Sequence, residues 1–345
     1  MSHHKHHHAE IKPFSVSPSC SVSALIGKMA GTSFQARNLA QGASIWEEML
    51  QKDVTIVFGL AGAMIPAGMR SLMVYLIQNR LIDCLVSTGA NLFHDLHETL
   101  GHPHWKGCAD MDDLALASSE VSRIYDVLIP DEELHATEDF IADFSRSLPA
   151  NRAYTTHEFL NRLGKEIATT AKEEGMLTSA AKAGVPIFCP ALGDSVYGTA
   201  FAAAKVKHNS KFLLDVAQDV VDMVKLVAFS APKTGVIFIG GGTPKNFTQQ
   251  AGLCTYLYEK EFVGHQYAIQ ITADNPQWGG LSGCTFDEAR SWRKVAADAQ
   301  SVTIYSDATI ALPLLVSNLA EKSSDTFVKR RKRASLFDLL AAPAK

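Results

Sequence analysis

No stretch of the 345-residue chain stays apolar over the length of a bilayer, and the mean hydropathy is +0.02, so the sequence offers no membrane span. C-x-x-C pairs are missing as well. The six cysteines (Cys20, Cys84, Cys108, Cys189, Cys254 and Cys284) are scattered, several inside apolar runs, which predicts reduced, mostly buried thiols in a cytosolic protein. Neither a G-x-G-x-x-G turn nor a P-loop occurs. An excess of positive charge is also lacking, because 32 Lys and Arg face 36 Asp and Glu for a net charge of −4. Five positive charges are packed into Lys329-Arg330-Arg331-Lys332-Arg333, and removing that +5 leaves −9 on the remainder. An acidic body repels phosphate backbones, which argues against nucleic acid as the main ligand. The basic run reads as a solvated, mobile terminus.

Core-forming residues are plentiful. The chain is 47% hydrophobic, over a length that suits one large α/β domain or two smaller ones, which excludes a disordered or fibrous protein. From Ser44 onward short β-rich runs alternate with amphipathic stretches of helical length, the pattern of a parallel sheet wrapped by helices. Val54-Thr55-Ile56-Val57-Phe58 and Cys84-Leu85-Val86-Ser87 are the first strands, joined by a helix that starts near Pro66 and continues to about Arg80. Further strands are expected over 185–188, 211–214, 236–239, 268–271 and 302–305. The polar, acidic and mostly helical stretch from Asp110 to about Thr178 reads as an insertion on the sheet. The expected fold is α/β: a single large doubly wound, mostly parallel, Rossmann-like sheet with helices on both faces. Residues 41–323 form it, 9–40 are an N-terminal arm and 324–345 a basic C-terminal tail. Residues 1–8 look like an expression tag, with no apolar signal segment after them.

Ligands of such sheets sit beyond the carboxyl ends of the strands. The segments there are Gly59 to Gly68, Thr88-Gly89-Ala90-Asn91, Ala191 to Ser195, Asp215 and Asp219, Gly240-Gly241-Gly242, Thr272-Ala273-Asp274, and Asp307. Two of them are glycine-rich turns leading into helices, where backbone N–H groups approach a phosphate at a positive helix terminus. Either turn alone serves equally as a tight βα connection, whereas two in one sheet point to a dinucleotide. Asp215 and Asp307 are placed to accept from ribose hydroxyls or to cap helices.

Thr285 and Glu288 form a capping box ahead of a helix that leads to Trp292 and Lys294. The plain reading of that pair is a core or interface Trp beside a surface Lys. The functional one makes Trp292 a cation–π face and Lys294 a neutral amine nucleophile. On an unbroken helix the two side chains point about 200° apart, so a shared pocket requires the helix to end or a second subunit to close the site. His94, His97, His102 and His104 gather near one helix end, but H-x-x-H followed by H-x-H is tied to no single metal site, and no metal is assigned.

The run Ser282-Gly283-Cys284-Thr285-Phe286-Asp287-Glu288-Ala289-Arg290-Ser291-Trp292-Arg293-Lys294 resembles the C-terminal signature of deoxyhypusine synthases. So do Asp298-Ala299-Gln300, Tyr305-Ser306-Asp307-Ala308 and Leu312-Pro313-Leu314-Leu315 after it. Ile239-Gly240-Gly241-Gly242, Leu214-Asp215, Pro190-Ala191-Leu192 and Asn161-Arg162-Leu163-Gly164-Lys165 fit the same family, and the resemblance runs from about Ser44 to Lys322. It implies a transferase in which NAD takes a hydride from the secondary-amine carbon of spermidine and diaminopropane leaves. A lysine then holds the aminobutyl group as a Schiff base and passes it to an acceptor amine, after which the hydride returns.

Lys294 matches that lysine, and Trp292 and Glu288 match the residues beside the amine. Asp219, His94, Asn246 and Ser282 fall at substrate positions. Gly62, Ala63, Met64, Thr88, Gly89, Ala90, Asp215, Gly240, Gly241, Gly242, Asp307 and Ala308 match the cofactor cradle. The resemblance further implies a homotetramer with its sites between subunits, in the cytoplasm, with neither nucleic acid nor membrane as partner.

The chain departs from that family at charged positions. Phe93 and His94 replace a pair of glutamates before Asp95, Asn246 replaces the histidine after Lys245, and Leu281 replaces the aspartate before Ser282. A pocket stripped of anionic groups binds a trication less well. This favours a small-amine acceptor, as in the similar homospermidine synthases, over a translation-factor lysine. Two rivals stay open: a metal-assisted hydrolase of amines or guanidines using the His94 to His104 cluster, and a non-catalytic NAD-binding paralogue.

Overall fold

Seven consecutive buried residues, Val54–Leu60, make β1 the centre of a parallel sheet, where both faces of a strand are covered and an unbroken apolar run is required. The structure, a computed structural model, describes residues 10–322 and 324–342, and the tag-like segment 1–8 lies outside the described residues. The chain opens with α1 (Val22–Met29), α2 (Phe34–Gln51), β1, a π-helical turn (Ile65–Met69), α3 (Arg70–Gln78), β2 (Cys84–Ser87) and α4 (Gly89–Thr99). Next come β3 (Trp105–Lys106), α5 (Asp113–Ser118), β4 (Val121–Ile124), β5 (Val127–Pro130), α6 (Asp131–Ser147), α7 (Thr156–Ile167), α8 (Met176–Ala183) and β6 (Ile187–Phe188). The second half runs through α9 (Val196–His208), α10 (Val216–Phe229), β7 (Lys233–Ile239), α11 (Gly242–Leu253), β8 (His265–Thr272) and α12 (Phe286–Ser291). It closes with β9 (Val295–Tyr305), α13 (Ala308–Lys322), α14 (Ser324–Arg331) and α15 (Leu336–Ala341).

Six strands pair in the order β6-β2-β1-β7-β8-β9, every pair parallel. Alternate residues of the central strands enter opposite layers. Ile56, Phe58, Ile237 and Ile239 pack with Trp46 and Met49 of α2 and with Leu312 and Leu315 of α13. Val57, Val236 and Phe238 pack with Met223 and Leu226 of α10 and with Phe286 and Ala289 of α12. The order reverses between β1 and β7, whose loops depart to opposite faces, and this is the crevice in which open α/β sheets bind ligands. A Cβ at Gly59 would stand 2.6 Å from the Phe238 ring, so glycine is what lets β1 and β7 close up beside that crevice.

Several expectations need correction. Lys211–Leu214 adds no strand; only Leu214 bridges to Tyr154, and Leu213 is exposed, so the segment has no sheet edge to join. The mostly helical insertion carries a small antiparallel sheet, β3-β5-β4, as well as α5 to α7. The boundary drawn at residue 40 falls inside α2, which buries Leu39 and Ala40 and packs on β9, so the N-terminal arm is continuous with the core. Cys84 and Cys189 are buried, but Cys20 and Cys108 are exposed, because they lie in the segments before α1 and after β3.

The basic tail is not solvated throughout. Arg330 is 3% exposed, and its guanidinium donates to Asp83 Oδ2 at 2.6 Å, to the Arg80 carbonyl at 3.0 Å and to the Val54 carbonyl at 3.3 Å. The amino ends of β1 and β2 leave those oxygens without sheet partners, and a forked cation satisfies several at once.

Candidate active site

Lys294 and Trp292 meet because α12 ends just ahead of them. Thr285 Oγ1 caps the first turn by accepting from Glu288 N at 3.1 Å, and the helix lasts only to Ser291. Arg293 then takes a left-handed conformation at φ 58°, its N–H donating to the Arg290 carbonyl at 2.9 Å, while Lys294 N–H donates to the Ala289 carbonyl at 3.0 Å. This paired bonding reverses the chain direction at a helix end. Lys294 Nζ consequently lies 5.4 Å from the centroid of the Trp292 ring, within cation–π range, and donates to Asn246 Oδ1 at 3.2 Å. Asn246 Nδ2 donates to Gln250 Oε1 at 3.2 Å, which aims its oxygen at the lysine. Trp292 is 61% exposed in the single chain, Glu288 is exposed and Lys294 is half-buried.

Beneath this surface lies a polar hub not singled out in the sequence. Lys245 is 1% exposed, and its ammonium donates to Gln270 Oε1 at 2.9 Å and to the Cys284 carbonyl at 2.5 Å. Gln270, also buried, donates through Nε2 to the carbonyls of Gly240 and Ser282, each at 2.8 Å. The glycine turn after β7 is thereby fastened to the segment that leads into α12. Gly241 has no room for a side chain, since a Cβ there would collide with the Ser282 backbone. Burial pulls the Lys245 ammonium down to a pKa of about 8, with the Lys294 cation adding to the effect and Cys284 and Glu288 opposing it. The signal in the sequence was present but faint: a lysine inside a first helical turn, and a glutamine within an apolar strand.

Of the residues expected to hold a dinucleotide, Gly62 to Met64 follow β1 and Gly240 to Gly242 follow β7, which puts these two turns at the crevice between the strands. Gly62 and Gly242 have φ of 76° and 53°, with nothing within 4 Å of where a Cβ would stand, so both turns leave open space beside bare backbone. Thr88 and Gly241 make no side-chain cap to the helices they precede, so the first turns of α4, beginning Gly89-Ala90, and of α11 keep N–H groups for an anion. Asn91 supports the first turn, accepting from Ile65 N at 3.1 Å and donating to the Gly62 carbonyl at 2.7 Å, beside buried Met64.

A cavity of about 1050 Å³ opens beside the turn after β1; of the expected cradle residues Ala63 and Asp307 line it, together with Gly68, Arg70, Glu98 and His104, whereas the turn after β7 does not. Asp307, just before Ala308, spends Oδ1 on Thr309 N and Oγ1, and Asp215 caps α10 through Gln218 N at 2.9 Å; both remain exposed. These donors, glycines and carboxylates suit a dinucleotide. Lys294, Trp292 and Asn246 do not line this cavity.

Two further candidates are placed elsewhere. Asp219 is fully buried and accepts from Thr156 N through both oxygens, at 3.1 and 2.9 Å, so its carboxylate serves the first turn of α7. Burial raises it to about 6 against the pull of those donors. His94 packs into the imidazole cluster: His104 Nε2 and His94 Nδ1 are 2.9 Å apart, and His104 Nδ1 is 2.7 Å from Glu98 Oε1. Burial, then His104, lowers His94 to about 4, and burial with the other three imidazoles lowers His97 to about 3. Among the described residues no group of three or more His, Cys, Asp or Glu side chains is arranged to hold a metal ion. The direct contact between two rings occupies His94 Nδ1 and His104 Nε2, whereas His97 Nε2 is buried without a hydrogen-bond partner among the described residues.

An open parallel sheet with glycine turns at its reversal point, together with a half-buried lysine over an aromatic ring, defines a doubly wound α/β protein with a candidate active site. Its relatives fix the family. The deoxyhypusine synthase profile matches residues 24–319. Probable deoxyhypusine synthase 2 of Methanosarcina mazei is 47% identical over 305 residues, covering 88% of each chain. Probable deoxyhypusine synthase 1 of Archaeoglobus fulgidus is 43% identical over 305 residues, 88% of this chain and 96% of that one. A crystal structure from Entamoeba histolytica, named provisionally as a deoxyhypusine synthase, superposes with a TM-score of 0.62 at 19% identity over 92% of this chain and 99% of that one, which shows the shared fold. The chain belongs to the deoxyhypusine synthase family and is an α/β transferase of the aminobutyl-transferring class.

Proposed function

We propose that the protein is an NAD-dependent transferase that moves an aminobutyl group from a polyamine to a small acceptor amine, with Lys294 as the covalent carrier. The reading rests chiefly on the helix end that folds Lys294 back over Trp292 and against Asn246. When bound, NAD supplies the reversible acceptance of a hydride. Gly62, Gly242, the first turns of α4 and α11, and Asp307 would hold it. Trp292 offers its face to an ammonium, and Glu288 gives the exposed negative charge of the amine site. Lys294, unprotonated, attacks the carbon of the oxidised donor, displaces the amine that leaves, and yields the aminobutyl group to the acceptor.

A small acceptor suits the chemistry of the replaced positions. His94 is held neutral by its surroundings, and Asn246 and Leu281 carry no charge, so fewer anions face an incoming polycation. Exposed Trp292 favours completion of the site by a second copy, as in a homotetramer. The test is to incubate the tag-free protein with NAD and a panel of polyamines, trap with borohydride, and weigh the Lys294 peptide. An aminobutyl adduct with release of a small diamine is expected. Absence of both across the panel overturns the proposal and leaves the non-catalytic paralogue.

A further inference from the structure

We infer that Glu98 is a positioning residue for His94: acting through His104, it holds the His94 imidazole with its proton on Nδ1, which leaves Nε2 as a hydrogen-bond acceptor for the amine substrate. The inference rests on the reading of position 94 as part of the amine site. It gives the imidazoles at the end of α4 a task that needs no metal.

The direction of each hydrogen bond follows from what its atoms are able to do. Glu98 Oε2 lies 3.6 Å from Nε of buried Arg70, so the side chain pairs as a carboxylate, which only accepts. Glu98 Oε1 is 2.7 Å from His104 Nδ1, and that nitrogen therefore carries a proton. A neutral imidazole has a single N–H, which makes His104 Nε2 a lone pair, and His94 Nδ1, 2.9 Å away, donates to it. The bare nitrogen of His94 is then Nε2. It makes no hydrogen bond among the described residues and, unlike His97 Nε2, is not sealed in the interior.

Two other histidines have their protons placed by other means. The Thr137 hydroxyl gives its hydrogen to the Glu133 carbonyl at 3.0 Å, so it accepts from His97 Nδ1 at 3.0 Å without any part played by Glu98. His157 is the opposite case, since its Nε2 donates to Asp222 Oδ2 at 2.8 Å and its Nδ1 is the bare, buried nitrogen. Only His94 depends on a chain of rings that ends in a carboxylate. Such a chain polarises cooperatively, and the lone pair at its far end accepts more strongly than that of an isolated neutral ring. An amine at His94 thus meets a neutral acceptor whose negative charge stands behind two imidazoles, at Glu98.

The experiment needs neither NAD nor turnover, so its failure is distinct from failure of the proposed function. Tag-free protein carrying isotope-labelled histidine is read by solid-state NMR, which separates protonated from bare ring nitrogens, and each ring is assigned by the loss of its signals when that histidine is replaced by Gln. In the wild type at neutral pH, His94 is expected to match His97, with Nδ1 protonated and Nε2 bare, and to show the reverse of His157. A nitrogen–nitrogen coupling is expected across the hydrogen bond from His94 to His104. Glu98→Leu and His104→Phe, each close in volume to the residue replaced, are expected to let the His94 proton spread over both nitrogens while His97 and His157 stay as they were. Spermidine, its binding followed by calorimetry, is expected to shift the His94 Nε2 signal and to leave His97 Nε2 in place. A wild-type His94 with its proton on Nε2 overturns the inference whether or not the variants fold. Folded Glu98→Leu and His104→Phe proteins with the wild-type His94 pattern overturn it as well, and bound spermidine that leaves His94 Nε2 unmoved overturns the assignment of that lone pair to the amine.

Discussion

Lys294 Nζ sits over the Trp292 ring at 5.4 Å although the two residues are only two positions apart, and Arg293 between them is the cause. Its φ of 58° is a conformation that costs an L-residue with a Cβ about 1–2 kcal/mol and glycine little. Part of that gain is offset by the larger chain entropy glycine loses on folding. Arg293→Gly is therefore expected to raise stability by about 0.5–1 kcal/mol in urea unfolding while leaving the trapping of Lys294 intact. Arg293→Val, β-branched and ill-suited to this conformation, is expected to destabilise and to weaken trapping. Equal stability of the glycine and valine variants would contradict this account of the turn.

Much of this arrangement was legible from residue order, and the reasons are local. Val54–Phe58 is buried on both faces and reads as a central strand whatever surrounds it, and Thr285 caps α12 as its spacing with Glu288 indicates. The helix stop before Lys294 was not legible, because arginine occupies a position where glycine would have announced the turn. Lys245 and Gln270 were hidden for a related reason: their importance comes from three chain segments distant in sequence, meeting at residues 240, 270 and 282–284. Asp219 read as a ligand because it follows a strand end, yet its partner, Thr156, lies more than sixty residues away. Arg330 was masked by its own neighbours, since five consecutive cations look like a solvated run until one of them finds Asp83.

Removal of that one cation should be costly. Asp83 is 1% exposed, and it also accepts from Ile56 N at 2.9 Å, at the start of the central strand. Arg330→Ala strips a buried carboxylate of its 2.6 Å partner and leaves the Arg80 carbonyl short of a donor, whereas the Val54 carbonyl keeps Arg333 Nη1 at 3.0 Å. Breaking a buried pair from one side costs about 3–5 kcal/mol, and the flanking Arg80 and Arg333 hold the loss toward the lower end. Urea unfolding of Arg330→Ala is expected to show a drop near 3 kcal/mol, whereas the neighbouring Lys332→Ala, at an exposed position, stays within about 0.5 kcal/mol of wild type. Equal effects of the two substitutions would show that the tail is not anchored through Arg330.

Acid sensitivity separates two opposing contributions. His94 and His97 are depressed to about 4 and 3 in the folded state, below an unfolded value near 6.5. Between pH 4 and 6 the unfolded chain therefore binds two more protons at these sites, and stability rises with pH. Asp219 works the other way: raised to about 6, it binds its proton more tightly folded than unfolded, so its contribution to stability falls as pH rises through the same window. Each proton is worth about 1.4 kcal/mol per pH unit. Asp219→Asn deletes the opposing contribution, and the slope of unfolding free energy against pH between 4 and 6 is expected to steepen by about that amount. An unchanged slope would mean that Asp219 is already ionised in the folded protein at pH 4.

The carrier and its aromatic neighbour should separate in kinetics. Lys294→Ala removes the only nitrogen proposed to hold the aminobutyl group, so transfer and adduct formation are expected to vanish. NAD binding, measured by calorimetry, should persist, because the groups proposed to hold it are the turns at Gly62 and Gly242, the first turns of α4 and α11, and Asp307, and Lys294 is none of them. Trp292→Ala leaves the nitrogen in place and takes away the ring beneath it. A cation–π contact is worth about 0.5–1 kcal/mol when exposed and about 2 kcal/mol when desolvated, which corresponds to roughly a twofold to thirtyfold rise in KM for the polyamine. The upper end is expected if a second subunit covers the ring, since Trp292 is exposed in the single chain. Transfer at the wild-type rate by Lys294→Ala would remove lysine from the reaction altogether. A Trp292→Ala enzyme with unchanged KM would deny the ring any part in holding the amine.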